Sequence, residues 1–435
     1  MRKNTIVVIV FVCCLVSSVY GQDGTLSLAE CIKIAIQNNP TLKRDELAVN
    51  RADIRLKQAE NERLPSLNAN LRHSLSQGRT INPTTNQYID QNNSYGDQSL
   101  SLNAPLFNGF SIINNIRMKS NAKEAGKLEY DSQINALKLD VITAYVKVLT
   151  ASDMLKQLEG QLEVTKEQLH RHEVLNKEGA VNPGDLYDLK GQFSSELNNL
   201  ELTKQTLNDA RLVLAMLLNI DIENLGQLDS IAIPEQFEVL NSKSLYEKSL
   251  LTMPQYKALD YRIKEMEHGI KVAKSGYFPS LTLGGGLSSN YSKDAGNYFT
   301  QMKNNLSKFA SIGLSIPIFN KFNVKNQVKL AKIDFEEAEY NKLVLENDLR
   351  MKTAKAVFDL KTAQSNVQNL KEQEVSYQES FRIATVVFEA GNSNSVIYLT
   401  AKNKLDMTRS QLLVKKYEWL MQKFINDYYA GSLDL

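Results

Sequence analysis

Few residues of this chain are of a type and spacing that could do chemistry, and they do not converge. Four histidines occur in 435 residues. His170 and His172 are two apart, so on a helix turning about 100° per residue they diverge and make a poor metal pair. His73 stands in a segment of alternating pattern, and His268 is isolated. There is no Gly-x-Ser-x-Gly turn, no His-Glu-x-x-His pair and no Walker loop. Gly284-Gly285-Gly286 lacks the downstream Lys-Ser/Thr of a phosphate loop and falls inside a strand pattern. Cys13 and Cys14 lie in an apolar N-terminal run, which leaves Cys31 in an amphipathic stretch. One thiol makes no internal disulfide, so Cys31 reads as packing. The residues predict no catalysis, no cofactor and no metal centre.

Two groups of residues could act by position rather than by reaction. Gly179-Ala180-Val181-Asn182 and Gly391-Asn392-Ser393-Asn394 each end a very long helical pattern, and glycine permits the left-handed cap that stops a helix. Just past the first, Asp185 and Asp188 are three apart and share one helix face. Carboxylates there can stabilise the start of a helix. If copies of the chain gather round an axis, they instead form rings of like charge, which favour cations and raise the carboxylates' pKa values by repulsion. The equivalent positions in the other half of the chain are Ile397 and Thr400.

The elements that position these residues come from one unit used twice. Asn39-Pro40 matches Met253-Pro254, and Leu64-Pro65-Ser66-Leu67 matches Phe278-Pro279-Ser280-Leu281, both at an offset of 214. Ala104-Pro105-Leu106-Phe107-Asn108 matches Ile316-Pro317-Ile318-Phe319-Asn320 at 212, and Glu178-Gly179 matches Ala390-Gly391 at the same offset. The first repeat spans 22–220, the second 245–435, and a linker at 221–244 joins them.

Each repeat reads helix, strand, strand, very long helix, turn, helix. Ser27 with Glu30 is a capping box for a first helix over 27–63, and its counterpart starts near Ser244 with Glu247. The pattern then switches to period two. Leu67, Ala69, Leu71, His73 and Leu75 alternate with polar residues, predicting strands at about 65–76 and 97–107, and at 279–290 and 309–318. Pro65 and Pro279 end the preceding helices, whereas Pro105 and Pro317 mark where ladder bonding should cease. Long helices follow over 111–177 and 322–389, free of proline. Their apolar residues, such as Leu137, Val141, Ala144, Val148 and Ala151, or Ala356, Leu360, Ala363 and Val367, step by four and three, a seam for neighbouring helices.

The chain opens with Arg2 and Lys3, an apolar run over Ile6–Val16 and small residues near Gly21, predicting a signal peptide over 1–21 that is cut after Gly21. Lys+Arg is 51 against 49 Asp+Glu. Losing Arg2 and Lys3 brings the mature charge near zero, which speaks against nucleic acid as a partner and against a polybasic membrane patch. No later run suffices for a spanning helix, which needs about twenty apolar residues. A membrane β-barrel stays open, since its strands hide in plain alternation.

Four strands cannot close a barrel, and an open sheet in lipid leaves edge N–H and C=O groups unpaired. Several chains must then share one barrel. Two copies give eight strands and a filled interior; three give twelve and room for a lumen. The residues do not choose between them.

The Asn39-Pro40 pair, the Leu-Pro-Ser-Leu and Phe-Pro-Ser-Leu motifs, the Pro-Leu-Phe-Asn-Gly and Pro-Ile-Phe-Asn motifs and their doubled order resemble the TolC-like outer-membrane efflux family over essentially the whole mature chain. The resemblance implies a mainly α fold with a small membrane β-barrel contribution: a homotrimer with a twelve-stranded barrel in outer-membrane lipid and a twelve-helix periplasmic tunnel. It implies an exit duct for efflux or type I secretion, docked to a periplasmic adaptor and through it to an inner-membrane transporter. It assigns the two tips to the adaptor contact and aspartates near the tunnel's narrow end to a periplasmic gate. In the family these lie prominently in the second half, whereas Asp185 and Asp188 lie in the first. Two rival classes are a periplasmic adaptor, which would need β-rich lipoyl-like flanks, and a coiled-coil protein without a pore.

Overall fold

The computed structural model describes residues 25–81, 86–238 and 240–433; the expected signal segment, with Cys13 and Cys14, lies outside them. The first repeat contains α1 (Leu28–Asn38), α2 (Pro40–Asn61), β1 (Ser66–Ile81), β2 (Tyr88–Asn108), α3 (Ser111–Lys177) and α4 (Pro183–Leu218). The second contains α5 (Ser242–Thr252), α6 (Pro254–Ser275), β3 (Ser280–Ser292), α7 (Tyr298–Asn304), β4 (Ser307–Ser315), α8 (Asn323–Glu389) and α9 (Ser395–Ala430). The paired helices have identical lengths: 11 residues for α1 and α5, 22 for α2 and α6, 67 for α3 and α8, and 36 for α4 and α9. The duplication is therefore preserved residue for residue in every helix of the shared plan.

The expected single helix over 27–63 is two helices. Asn39 is extended at φ −62°, ψ 119°, because the ring of Pro40 excludes helical geometry from the residue before it. Asn39 Oδ1 then accepts from the backbone N–H groups of Thr41 at 2.9 Å and Leu42 at 3.2 Å, restarting the helix as α2. Met253-Pro254 makes the same break in the second repeat. Ser27 forms the capping box with Glu30, but the counterpart helix starts earlier than Ser244: Asn241 is its N-cap and accepts from Ser244 N at 2.8 Å.

The chain divides into two compact units that cut across the repeats. One combines the residues up to Asp45 with Tyr130–Met253 and Asn347–Leu435; the other combines Glu46–Glu129 with Pro254–Glu346. Both draw on both repeats.

The second unit holds one antiparallel sheet in the order β1-β2-β3-β4. Leu67 pairs with Leu102, Ala69 with Leu100, Leu100 with Leu287, Ala104 with Leu283 and Leu283 with Ile312. The alternating apolar residues thus line one face, which is exposed: Leu71 is 79 % and Ile312 69 % accessible. β1 and β2 are longer than the alternation predicts, because their backbone ladder continues through polar residues as far as Ile81 opposite Tyr88. Pro105 does not end the ladder. It pairs with Thr282, and a bulge carries the register on to Phe107 opposite Leu281. β4 stops at Ser315, short of the expected 318, since Pro317 has no N–H and restricts Ile316. The polar stretch between β3 and β4 carries the short helix α7.

In the other unit, Leu28, Cys31, Ile32 and Ala35 of α1 pack with Val141, Ile142 and Tyr145 of α3 and with Leu214 and Leu218 of α4. Cys31 is fully buried, and that burial pushes its thiol up to about 11. Tyr145 donates its hydroxyl to the carbonyl of Leu26 at 2.9 Å or of Asp229 at 2.7 Å, fastening the linker where Leu26 bridges to Leu228. Thr165 of α3 and Thr353 of α8 are buried and return their hydroxyls to the carbonyls of Gln161 and Leu349 one turn back.

Candidate functional site at the hairpin tips

Both long helices end alike. Gly179 adopts φ +70° and Gly391 φ +74°. Ala180 N–H bonds Leu175 O at 2.9 Å and Gly179 N–H bonds Asn176 O at 3.1 Å; Asn392 N–H bonds Val387 O at 3.0 Å and Gly391 N–H bonds Phe388 O at 3.0 Å. These are paired Schellman caps, satisfying carbonyls that the helix end would leave unbonded. The chain re-enters a helix within a few residues. Asn182 Oδ1 accepts from Gly184 N at 3.0 Å, and Asn394 Oδ1 from Ile397 N at 3.1 Å. Gly179, Ala180, Asn182, Gly391, Asn392 and Asn394 are exposed, and Val181 and Ser393 are half-buried.

The structure ties the predicted acidic pair to the second tip. Asp185 accepts from Ser395 N at 2.8 Å, and Asp188 accepts from Ser395 Oγ at 2.6 Å. Ser395 opens α9 and is 1 % exposed. Two carboxylates of the first repeat thus sit at the N-terminus of a second-repeat helix, where unpaired N–H groups and the helix dipole favour negative charge. Ile397, equivalent to Asp185, is 56 % exposed. Of the pair, Asp188 is itself exposed and Asp185 half-buried.

The residues around the tips are structural in character. His172 is buried, shares its Nδ1 with Gln168 O at 3.0 Å and stacks on Phe388 with ring centroids 4.8 Å apart. Phe388 stacks in turn on Tyr398 at 4.8 Å. Arg171 pairs with Glu389 at 2.8 Å. Among the described residues no cluster of three or more His, Cys, Asp or Glu is placed to hold a metal ion. Sequence reasoning missed Ser395, the shared partner of both aspartates; its only signal was its position directly after the Asn394 cap.

The doubled plan now has a match. The family model described as outer membrane efflux protein aligns with residues 31–219 and again with 245–423. The chain belongs to the outer membrane efflux protein family. It is 24 % identical to the outer membrane protein TolC of Salmonella enteritidis, covering 94 % of this chain and 84 % of that protein. It is 25 % identical to the probable outer membrane lipoprotein SilC of Salmonella typhimurium, covering 88 % and 81 %. In fold, it matches the Campylobacter jejuni CmeC outer membrane channel with a TM-score of 0.83 at 19 % identity, over 93 % of this chain and 86 % of that one. As a member of the outer membrane efflux protein family the chain is an outer-membrane channel, and no described helix is long and apolar enough to cross a membrane.

Proposed function

We propose that three copies of the chain form a passive exit duct in the outer membrane, as the last stage of a tripartite efflux or type I secretion system. Residues 1–21 direct export and are removed. Each copy contributes four strands to a twelve-stranded barrel and its long helices to a periplasmic tunnel. The tips receive a periplasmic adaptor, which links the duct to an inner-membrane transporter, and Asp185 and Asp188 act near the tunnel's narrow end. The duct itself catalyses nothing.

The observation that carries this reading is the four-stranded sheet. Among the described residues its outer strands β1 and β4 have no second neighbour, and Leu67, Leu71, Ile312 and Leu314 on its apolar face are all more than 60 % exposed. In lipid, each unpaired backbone group on those edges costs several kcal/mol, about 2–7 each from transfer data, so β4 of one copy pairing with β1 of the next removes the penalty. The apolar face then meets acyl chains.

Membrane fractionation followed by electrophoresis without boiling tests the assembly. The expected result is outer-membrane recovery and a detergent-resistant oligomer that collapses to the single chain on heating. Recovery as a soluble periplasmic protein would overturn the duct.

A further inference from the structure

The helices of the two repeats match, but the segments between their strands do not. In the first repeat the ladder of β1 and β2 runs on to Ile81 opposite Tyr88. In the second, β3 stops at Ser292 and the chain folds back through α7 before β4 begins at Ser307. Asn297 caps α7, its Oδ1 accepting from Phe299 N at 2.9 Å and Thr300 N at 3.3 Å. Gln301 is buried and fastens the return. Its Oε1 accepts from Ser292 N at 2.9 Å, and its amide donates to the carbonyls of Ser292 at 2.9 Å and Gly296 at 2.8 Å.

α7 lies on the apolar face of the sheet, just past the last leucine of β3. Leu100, Leu287 and Lys308 stand in one row across β2, β3 and β4. The next row on that face holds Gln98 and Ser289, and the one after it holds His73, Gly96 and Tyr291. Alternate residues share a face, so these side chains rise on the same side as the leucines. Ser289 donates its hydroxyl to Met302 O at 3.0 Å, Gln98 Nε2 donates to the Tyr298 hydroxyl, and Tyr291 meets Tyr298 edge to face at 4.9 Å. Gly96 makes the room. A Cβ there would stand 2.6 Å from the Tyr291 ring, which crosses it to bring its hydroxyl within 2.6 Å of His73 Nδ1.

With Tyr298 and Met302 turned to the sheet, Phe299 and Lys303 share the other side of α7. Phe299 is 79 % exposed, and Leu306, just past the helix, is 46 % exposed. Lys293, Lys303 and Lys308 are exposed as well, and the stretch 293–308 sets these three lysines against one acidic residue, Asp294. The long helices join the sheet at its opposite end, past Asn108 and Ser315. From Leu281 to Leu287 the apolar rows of β3 cover about 20 Å, close to the ~25 Å apolar band of an outer-membrane barrel. α7 therefore stands at the edge of that band, on the end far from the helices. An aromatic ring beside a cluster of ammonium groups at such an edge suits a membrane interface, where rings settle at headgroup level and lysines reach phosphates.

We infer that α7 lies on the lipid-facing side of the barrel at its outer end, where Phe299 enters the outer leaflet and Lys293, Lys303 and Lys308 bind the phosphates of anionic lipids. The occupant of this surface is the membrane for two reasons. α7 continues the apolar face that the proposed barrel turns to lipid, and its surplus of ammonium groups complements phosphate. The inference rests on the proposed barrel and adds a headgroup site to it. The first repeat, whose strands run on as a plain ladder, has no such helix among the described residues.

Spin labelling of the full-length protein tests it, in vesicles of equal parts phosphatidylcholine and lipid A, a phosphate-bearing glycolipid. Cys31 is fully buried, so a label on Phe299→Cys or Ile312→Cys is read by itself. At both sites, collisions with oxygen, which partitions into lipid, should exceed those with a water-soluble nickel chelate. Ile312 in lipid with Phe299 in water overturns the placement of α7 and leaves the barrel standing. Both sites in water overturn both. A label at 299 reached by neither reagent puts a second copy over α7 and also overturns the placement. Retention of lipid A by the purified oligomer tests the lysines. Lys303→Gln with Lys308→Gln should weaken it roughly twentyfold, at about fivefold for each lysine near an anionic surface. Unchanged retention overturns the headgroup site.

Discussion

The Lys402 ammonium of α9 lies 2.8 Å from Glu196 of α4, with its side chain only 2 % exposed, so the returning helices of the two repeats are joined by a buried ion pair. Asp406 approaches the same ammonium at 2.6 Å, and Gln192 Nε2 donates to Glu196 Oε1 at 2.7 Å. A buried cation facing two carboxylates is costly to break from one side. Replacing Lys402 with Met leaves two carboxylates without their shared cation and should destabilise the fold by roughly 3–5 kcal/mol. Hydrogen–deuterium exchange along α9 should show faster exchange around Lys402 in that variant. Unchanged protection would reject a structural role for the pair.

The Ser395 contacts of Asp185 and Asp188 give a test of the proposed gate. Asp185→Ala with Asp188→Ala removes both carboxylates from the start of α9, each such cap being worth about 0.5–2 kcal/mol. In planar bilayers the double variant should conduct more readily and lose block by divalent cations. Wild-type conductance and block would restrict the two aspartates to holding α9.

The two tips have a conformational requirement that can be separated from a docking one. Gly179 and Gly391 have positive φ, where a side chain costs about 1–2 kcal/mol. A Cβ at either glycine meets no atom within 4 Å, so alanine there should be tolerated in assembly and transport. Gly179→Glu with Gly391→Glu should abolish export while the oligomer still forms on unboiled gels. Normal export by the glutamate variant would remove the tips from the adaptor contact.

The turn leading into each long helix is the same backbone built from different residues. Gly109 and Phe110 have φ of +63° and +66°, and Lys321 and Phe322 have +55° and +60°. Lys321→Gly should stabilise the protein by up to about 1 kcal/mol, since lysine carries a left-handed penalty that glycine does not. Gly109→Ala should do the opposite, because its Cβ would stand 2.5 Å from the carbonyl oxygen of Ser275. Thermal inactivation of the pair of variants reads both signs.

Strong acid should act in part through Asp53. Its carboxylate is held down to about 2, chiefly by the hydrogen bond from Lys123 at 2.5 Å and then by Lys57 at 2.8 Å. A carboxyl lowered in the folded state stabilises above its ordinary value of 3.8, and that contribution fades as the pH falls from there towards 2. Asp53→Asn should lower stability slightly at neutral pH, flatten this part of the acid-inactivation curve and bring the two proteins together below about pH 2. An identical acid limb in the variant would exclude the contribution.

Much of the plan was legible in particular residues. The doubled proline motifs gave the repeat, and every helix of the shared plan has the same length in its two copies. Leu137, Val141 and Ala144, or Ala356, Leu360 and Ala363, announced the buried seams, because helical period is a local property of the chain. Breaks at Asn39 and Met253 were less legible, since a pattern of apolar residues runs on across a proline that the backbone cannot follow. The lengths of β1 and β2 were missed for a related reason: their ladder bonds join polar residues, and backbone pairing leaves no mark in side-chain alternation.

The sequence alone determined the duplicated unit, its order of elements and the glycines that stop its long helices, all of which follow from spacing and backbone chemistry within short stretches. Only the tertiary structure decided that Asp185 and Asp188 both hold Ser395, 207 to 210 residues away, and that Lys402 lies buried against Glu196. It also decided that Ser410, Val414, Tyr417 and Met421 of α9 are covered while Asn198, Leu202, Gln205 and Asp209, at the equivalent positions of α4, are exposed. A repeat makes such positions identical in sequence pattern, and only the packing of one repeat against the other makes them different.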